Sequence, residues 1–99
     1  MDPVRYQDLQ PHETDLLGTW VSTGAGVEGD ETCRRIQWLL EARLERVGEA
    51  NWEAWYIDPH DGRLWALTFP HSEMHGGGPP RLSLVSREDA KTRYGFGAA

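Results

Sequence analysis

The residues predict an α+β domain: a small antiparallel sheet of about four strands packed against one main helix, with a short C-terminal helix. Three observations lead there. Cys33, Ile36, Leu40, Leu44 and Val47 recur at steps of three and four and fall on one stripe of a helix. Trp52–Ile57 and Arg63–Phe69 carry large rings that alternate with other residues, the period of a strand. Between them, Asp58-Pro-His-Asp-Gly62 supplies a type I turn, with Pro59 fixing φ at its second position and Gly62 able to enter the left-handed region.

Taken in order, residues 1–15 are polar, contain Pro3 and Pro11 and show no period, so they read as a loosely attached arm before a single domain at 16–99. Leu16–Thr23 is β-branched and aromatic enough for a first strand, which Gly24-Ala-Gly-Val-Glu-Gly29 interrupts. Asp30 suits a helix N-cap and Gly48 a C′ position. Glu31 in the first turn and Arg43 and Arg46 in the last agree with the helix dipole. In the hairpin that follows, Trp65, Leu67 and Phe69 share one face of the second strand, while Trp52, Ala54 and Tyr56 oppose Glu53, Trp55 and Ile57 in the first.

Gly76, Gly77 and Gly78 set maximal backbone freedom beside Pro79 and Pro80, which fix φ and donate no hydrogen bond. The prolines make a stiff lead into a strand beginning at Arg81 and running through Leu82–Val85. Ser86 with Asp89 resembles a capping box for a final helix that ends at Gly95.

The chain has 99 residues, enough for one core and no second active domain. Five tryptophans, three tyrosines and two phenylalanines imply that this core is rich in aromatic rings. One cysteine excludes an intramolecular disulfide. The N-terminus lacks the basic and apolar segments of a signal peptide and no apolar run is long enough to span a membrane, so the expected compartment is the cytoplasm. A net charge of −6, from 16 acids against 10 bases, argues against nucleic acid as a direct partner and for a cationic protein.

Several patterns suggest chemistry, each with a plainer alternative. Gly24–Gly29 satisfies the GxGxxG pattern between a strand and a helix, but Glu28, Asp30 and Glu31 would repel a phosphate there. His71, Glu73 and His75 are spaced by two and in an extended chain would point one way, as a zinc site or acid/base pair would need. Two histidines and one carboxylate make a minimal set, and no metal or other cofactor is expected. Cys33 lies on the apolar stripe and reads as a small core residue. Asp58 and Asp61 read as turn caps within reach of Arg63. Nothing forms a catalytic set, so the chain is expected not to be an enzyme. Trp38 falls on the outer face of the helix with Arg34, Glu41 and Glu45. An indole framed by carboxylates is a plausible anchor for a basic partner unless the arm or a strand covers it.

The succession Gly18-Thr-Trp20, Cys33-Arg-Arg-Ile-Gln-Trp-Leu39, Asp58-Pro-His-Asp-Gly-Arg-Leu-Trp65 and Pro70-His-Ser-Glu-Met-His-Gly-Gly-Gly-Pro-Pro-Arg-Leu82 resembles the immunity protein 27 family over roughly residues 16 to 95. Ser72–Pro80 is its most specific part. The chain departs from the family pattern at Ala66, where the family tends to have glutamate, and in its arginine-rich helix. The resemblance implies an antidote of a bacterial polymorphic toxin system, encoded beside a secreted toxin and protecting the producer by binding it. It does not state the toxin's activity. A small acidic domain without catalytic residues is what a stoichiometric inhibitor needs, and an acidic face steers it toward a basic toxin. A nuclease, with its cationic cleft, is the favoured partner type, met by a monomer in a 1:1 complex. The expected contacts are Trp38, Glu41 and Glu45 from the helix, or Glu73, Met74 and His75 from the loop. The rival reading is a metal-dependent antidote built on His71, Glu73 and His75, and a third is an interaction module with some other partner.

Overall fold

The computed structural model describes residues 6–24, 26–50, 53–71 and 78–94. They form β1 (Asp15–Leu17), β2 (Trp20–Thr23), β3 (Gly26–Gly29), α1 (Glu31–Ala42), β4 (Glu45–Ala50), β5 (Glu53–Ile57), β6 (Leu64–Thr68), β7 (Arg81–Val85) and α2 (Arg87–Tyr94). The α+β class is observed, with one more strand in the main sheet than expected and a separate hairpin. The main sheet is antiparallel in the order β1-β7-β6-β5-β4, and β2 pairs with β3 alone.

Alternation along the central strands sends side chains to two faces. Ala54 and Tyr56 of β5, Trp65 of β6, Leu82 of β7 and Leu16 of β1 join Ile36 and Leu39 of α1 in the larger core. Leu64, Ala66 and Val85 point the other way and pack with Ala90 of α2. The two helices thus cover opposite faces of one sheet. Trp65 and Leu67 share one face as expected, and it is the face against α1, whereas Phe69 falls beyond the strand and is 42% exposed.

Helix α1 starts where the sequence places it. Asp30 is extended, at φ −75° and ψ −174°, and its carboxylate accepts from the Cys33 N–H at 2.9 Å. Its end differs from expectation. Arg43 is the C-cap, Gly48 is not a C′ residue, and neither Arg46 nor Val47 is helical. The buried stripe is Cys33, Ile36 and Leu39, with Leu40 half-buried.

The physical reason is that the chain after Ala42 gains more from pairing with the aromatic β5 than from further helical turns. The Arg43 and Leu44 N–H groups both donate to the Leu39 carbonyl, which closes the helix, and Leu44 still reaches the core. β4 then pairs along β5 with a register shift between Arg46 and Gly48. Gly48 sits directly against the Trp55 indole, and any Cβ there would overlap the ring.

The expected first strand is also two. Leu16 goes to the main sheet through β7, while Trp20–Thr23 turns back on Gly26–Gly29. The glycine-rich pattern is therefore a hairpin strand and not a phosphate loop. At the other end, the Asp89 N–H donates to the Ser86 hydroxyl at 3.0 Å, the amide half of the anticipated cap. Ser86→Ala is expected to lower stability by about 1 kcal/mol, read as a shift of the urea midpoint at unchanged slope.

Candidate functional site

The β5–β6 turn is built by its own acids. Asp58 is buried, at 7% exposure; its Oδ1 accepts from the His60 N–H at 2.9 Å, and its carbonyl accepts from the Gly62 N–H at 2.7 Å. Gly62 takes φ +78°, a left-handed value that a side chain disfavours. Asp61 accepts from the backbone and guanidinium of Arg63 at 3.0 and 2.6 Å. Burial opposes ionisation of Asp61, but these donors outweigh it and its carboxyl lies below the usual range.

Arg63 does more than close the turn. Its two terminal nitrogens donate to the Glu13 and Gln10 carbonyls at 2.9 and 3.0 Å, and the guanidinium stands 5.0 Å over the Trp65 ring. It fastens residues 10–13 to the sheet. Arg35 fastens the same segment from the helix, reaching both Glu13 carboxylate oxygens at 2.7 Å and the Gln7 and Asp8 carbonyls at 2.8 and 3.0 Å. The Arg35 guanidinium holds the Glu13 carboxyl well below its usual value, at about 2. With Leu9 at 5% exposure, the described part of the expected arm, residues 6–14, is docked on the domain.

This docking creates a groove of about 430 Å³ at the C-terminal end of α1. Leu9, Leu39, Ala42 and Pro59 give it apolar lining; Asp8, Arg43, Asp58 and His60 are its polar groups. Arg43 pairs with Asp8 at 2.8 Å and lies 5.3 Å over the Trp38 ring. Trp38 is half-buried, with the Tyr6 ring 5.9 Å away on the docked segment. The indole is therefore a shared wall between α1 and that segment, not a freely exposed anchor.

Of the expected contacts, Trp38 and Glu41 are brought together on α1, with Glu41 exposed and accepting from Gln37 at 3.2 Å. Glu45 is not on the helix; it begins β4, because the helix ends at Ala42. Glu73, Met74, His75, Gly76 and Gly77 lie outside the described residues. Their loop leaves from a tight neck, where Gly78, at φ +78°, has its α-carbon so close to the His71 carbonyl that a Cβ would collide with it. Pro79 is buried, and the Pro80 carbonyl accepts from the Gly18 N–H at 2.8 Å. Cys33 is buried beside the Thr19 carbonyl, and burial pushes its thiol up, as suits a core residue.

Among the described residues no three His, Cys, Asp or Glu side chains are grouped to hold a metal. No helix among them is long and apolar enough to cross a membrane. Among the described residues seven arginines each pair with a carboxylate: Arg34 with Glu31, Arg35 with Glu13, Arg43 with Asp8, Arg46 with Glu49, Arg63 with Asp61, Arg81 with Asp15 and Arg93 with Glu53. Glu28, Glu41, Glu45 and Glu88 are exposed and outside those pairs, so the acidic excess faces outward.

The family model of immunity protein 27 matches residues 22–86, about two-thirds of the sequence. The chain belongs to the immunity protein 27 family. No curated protein and no solved structure matches it. Family membership makes it an immunity protein and implies a cognate toxin as its partner. The matched span takes in α1, the Asp58–Arg63 turn and the Gly78–Pro80 neck. In this chain that span holds a turn fixed by backbone and aspartate hydrogen bonds and a neck whose Pro80 carbonyl is anchored by the Gly18 N–H. Glu13 and Arg35, which tie the N-terminal segment down, escaped sequence reasoning because they are 22 residues apart. Glu13 three residues after Gln10 was the one local signal, since the Gln10 N–H donates to that carboxylate at 2.8 Å.

Proposed function

We propose that this protein neutralises a cytosol-acting toxin by forming a stoichiometric 1:1 complex, as part of a polymorphic toxin system, with no bond made or broken by its own side chains. The observation that carries the reading is the outward acidic excess. The described arginines are largely spent on internal pairs, so exposed carboxylates such as Glu41 and Glu45 dominate the field a partner meets. Such a surface suits a basic toxin, and a nuclease with its cationic cleft is the type we favour. Trp38, Glu41 and Glu45 make one contact set. Glu73, Met74 and His75, whose loop leaves the neck at His71 and Gly78, make the other.

Co-expression with the protein encoded beside the gene, followed by mass measurement, is expected to yield an equimolar complex. Replacing both Glu41 and Glu45 with glutamine is expected to slow association and flatten its salt dependence, with little change in dissociation. Turnover of the toxin or of its products by the isolated immunity protein, or failure to capture the toxin, would overturn the reading.

A further inference from the structure

We propose that the groove beside α1 receives one cationic side chain, lysine or arginine, from the partner protein. Asp58 carries the argument. It is 93% buried, from its 7% exposure, and lines the groove. Its Oδ1 is taken by the His60 N–H at 2.9 Å, and among the described residues Oδ2 accepts no hydrogen bond. Oδ2 is not sealed among the buried polar atoms, so on a residue that lines the groove it stays open to a donor, and a charged donor suits it most strongly.

The nearest cation does not supply it. Arg43 is committed to Asp8 at 2.8 Å and to the Trp38 ring. That pairing also neutralises Asp8, which leaves the charge of Asp58 uncompensated in the groove. The C-terminal end of α1, at Ala42, adds the negative pole of the helix dipole. Leu9, Leu39, Ala42 and Pro59 offer apolar surface for an aliphatic stem, the other half of a lysine or arginine side chain. A volume of about 430 Å³ admits one such side chain with the backbone that carries it. The groove adjoins Trp38 through Arg43, so a partner engaging the α1 surface would present that side chain here. The occupant follows from charge complementarity and rests on the proposed binding of a basic toxin.

Two variants test the groove in the full-length protein against the toxin encoded beside the gene. Asp58→Asn keeps the oxygen that accepts from His60 and removes the charge, while Ala42→Trp fills the space from an exposed helix-end position and leaves the turn alone. Each is expected to weaken the complex by about tenfold or more, mainly through faster dissociation, whereas Glu88→Gln on α2 changes it by less than about twofold. Groove variants that both bind like the unmodified protein overturn the inference and leave the toxin-binding reading standing. If no toxin is captured at all, that reading falls, and amide NMR with N-acetyl-lysine methylamide and N-acetyl-arginine methylamide tests the groove alone. Saturable millimolar shifts at His60 and Ala42 that vanish in Asp58→Asn support it, and the stronger ligand names the side chain. Their absence from the unmodified protein overturns it.

Discussion

Trp65→Ala is expected to remove about 4 kcal/mol of stability, the middle of the range for truncating a buried aromatic ring. Trp65 has no exposed surface and packs in the cluster that joins Ile36 and Leu39 of α1 to Tyr56 and Leu82 of the sheet. Its loss would open a cavity between the layers and take away the ring beneath the Arg63 guanidinium. For a domain of this size, whose total stability is of the order of 5 to 15 kcal/mol, that is a large share. Trp65→Phe is expected to cost far less. The indole N–H is buried without a hydrogen-bond partner among the described residues, so phenylalanine loses some packing but also removes an unsatisfied donor. Urea unfolding of the two variants checks this ordering, and equal losses would mean that the indole nitrogen is satisfied in solution.

The prominence of Trp65 was legible in the sequence, since it stands in a strand with period-two alternation beside a turn written in proline, aspartate and glycine. The start of α1 was legible for the same reason: Asp30, Glu31 and the spacing of Cys33 and Ile36 are local signals that agree. What failed was the far end of the helix. Leu44 and Val47 continue a helical period by coincidence, and only β5, which follows them in the chain, determines that residues 45–50 become a strand. Edge pairing is a non-local gain, and so is the space over Gly48 that Trp55 fills.

The candidate site divides in the same way. The Asp58–Arg63 turn is self-contained and could be read directly, including the left-handed Gly62. The groove could not, because its walls come from residues 8–9, 39–43 and 58–60 and meet only after the N-terminal segment docks. That segment looked loose because polar residues and prolines without a period are the ordinary signature of an arm. Arg35 and Arg63 instead replace hydrophobic anchoring with guanidinium bonds to its backbone carbonyls. Trp38 was placed correctly on α1, but its exposure depended on Tyr6 and Arg43.

Arg35→Ala is expected to cost about 3 kcal/mol and to release residues 7–13 from the helix, because it leaves the Glu13 carboxylate in a place with only 17% exposure and no guanidinium. The same pair sets an acid limit. In the folded state Arg35 holds the Glu13 carboxyl at about 2, below the ordinary value near 4.5 that the unfolded chain restores. A depressed carboxyl pKa stabilises the fold fully above the unfolded value and loses that contribution as pH falls through the folded one. Stability should therefore decline between about pH 5 and pH 2 by roughly 1 to 2 kcal/mol more in the unmodified protein than in Glu13→Gln, a figure reduced from the full shift because the pair retains some contact with water. Urea midpoints measured across that interval give the difference. Hydrogen exchange at Leu9 and Gln10 should rise in Arg35→Ala at neutral pH, since the amide of Gln10 then relies on a carboxylate that nothing orients. Because Asp8 and Leu9 form one wall of the groove, the same variant should also weaken capture of a cationic side chain there, although Arg35 is not among the residues that line it.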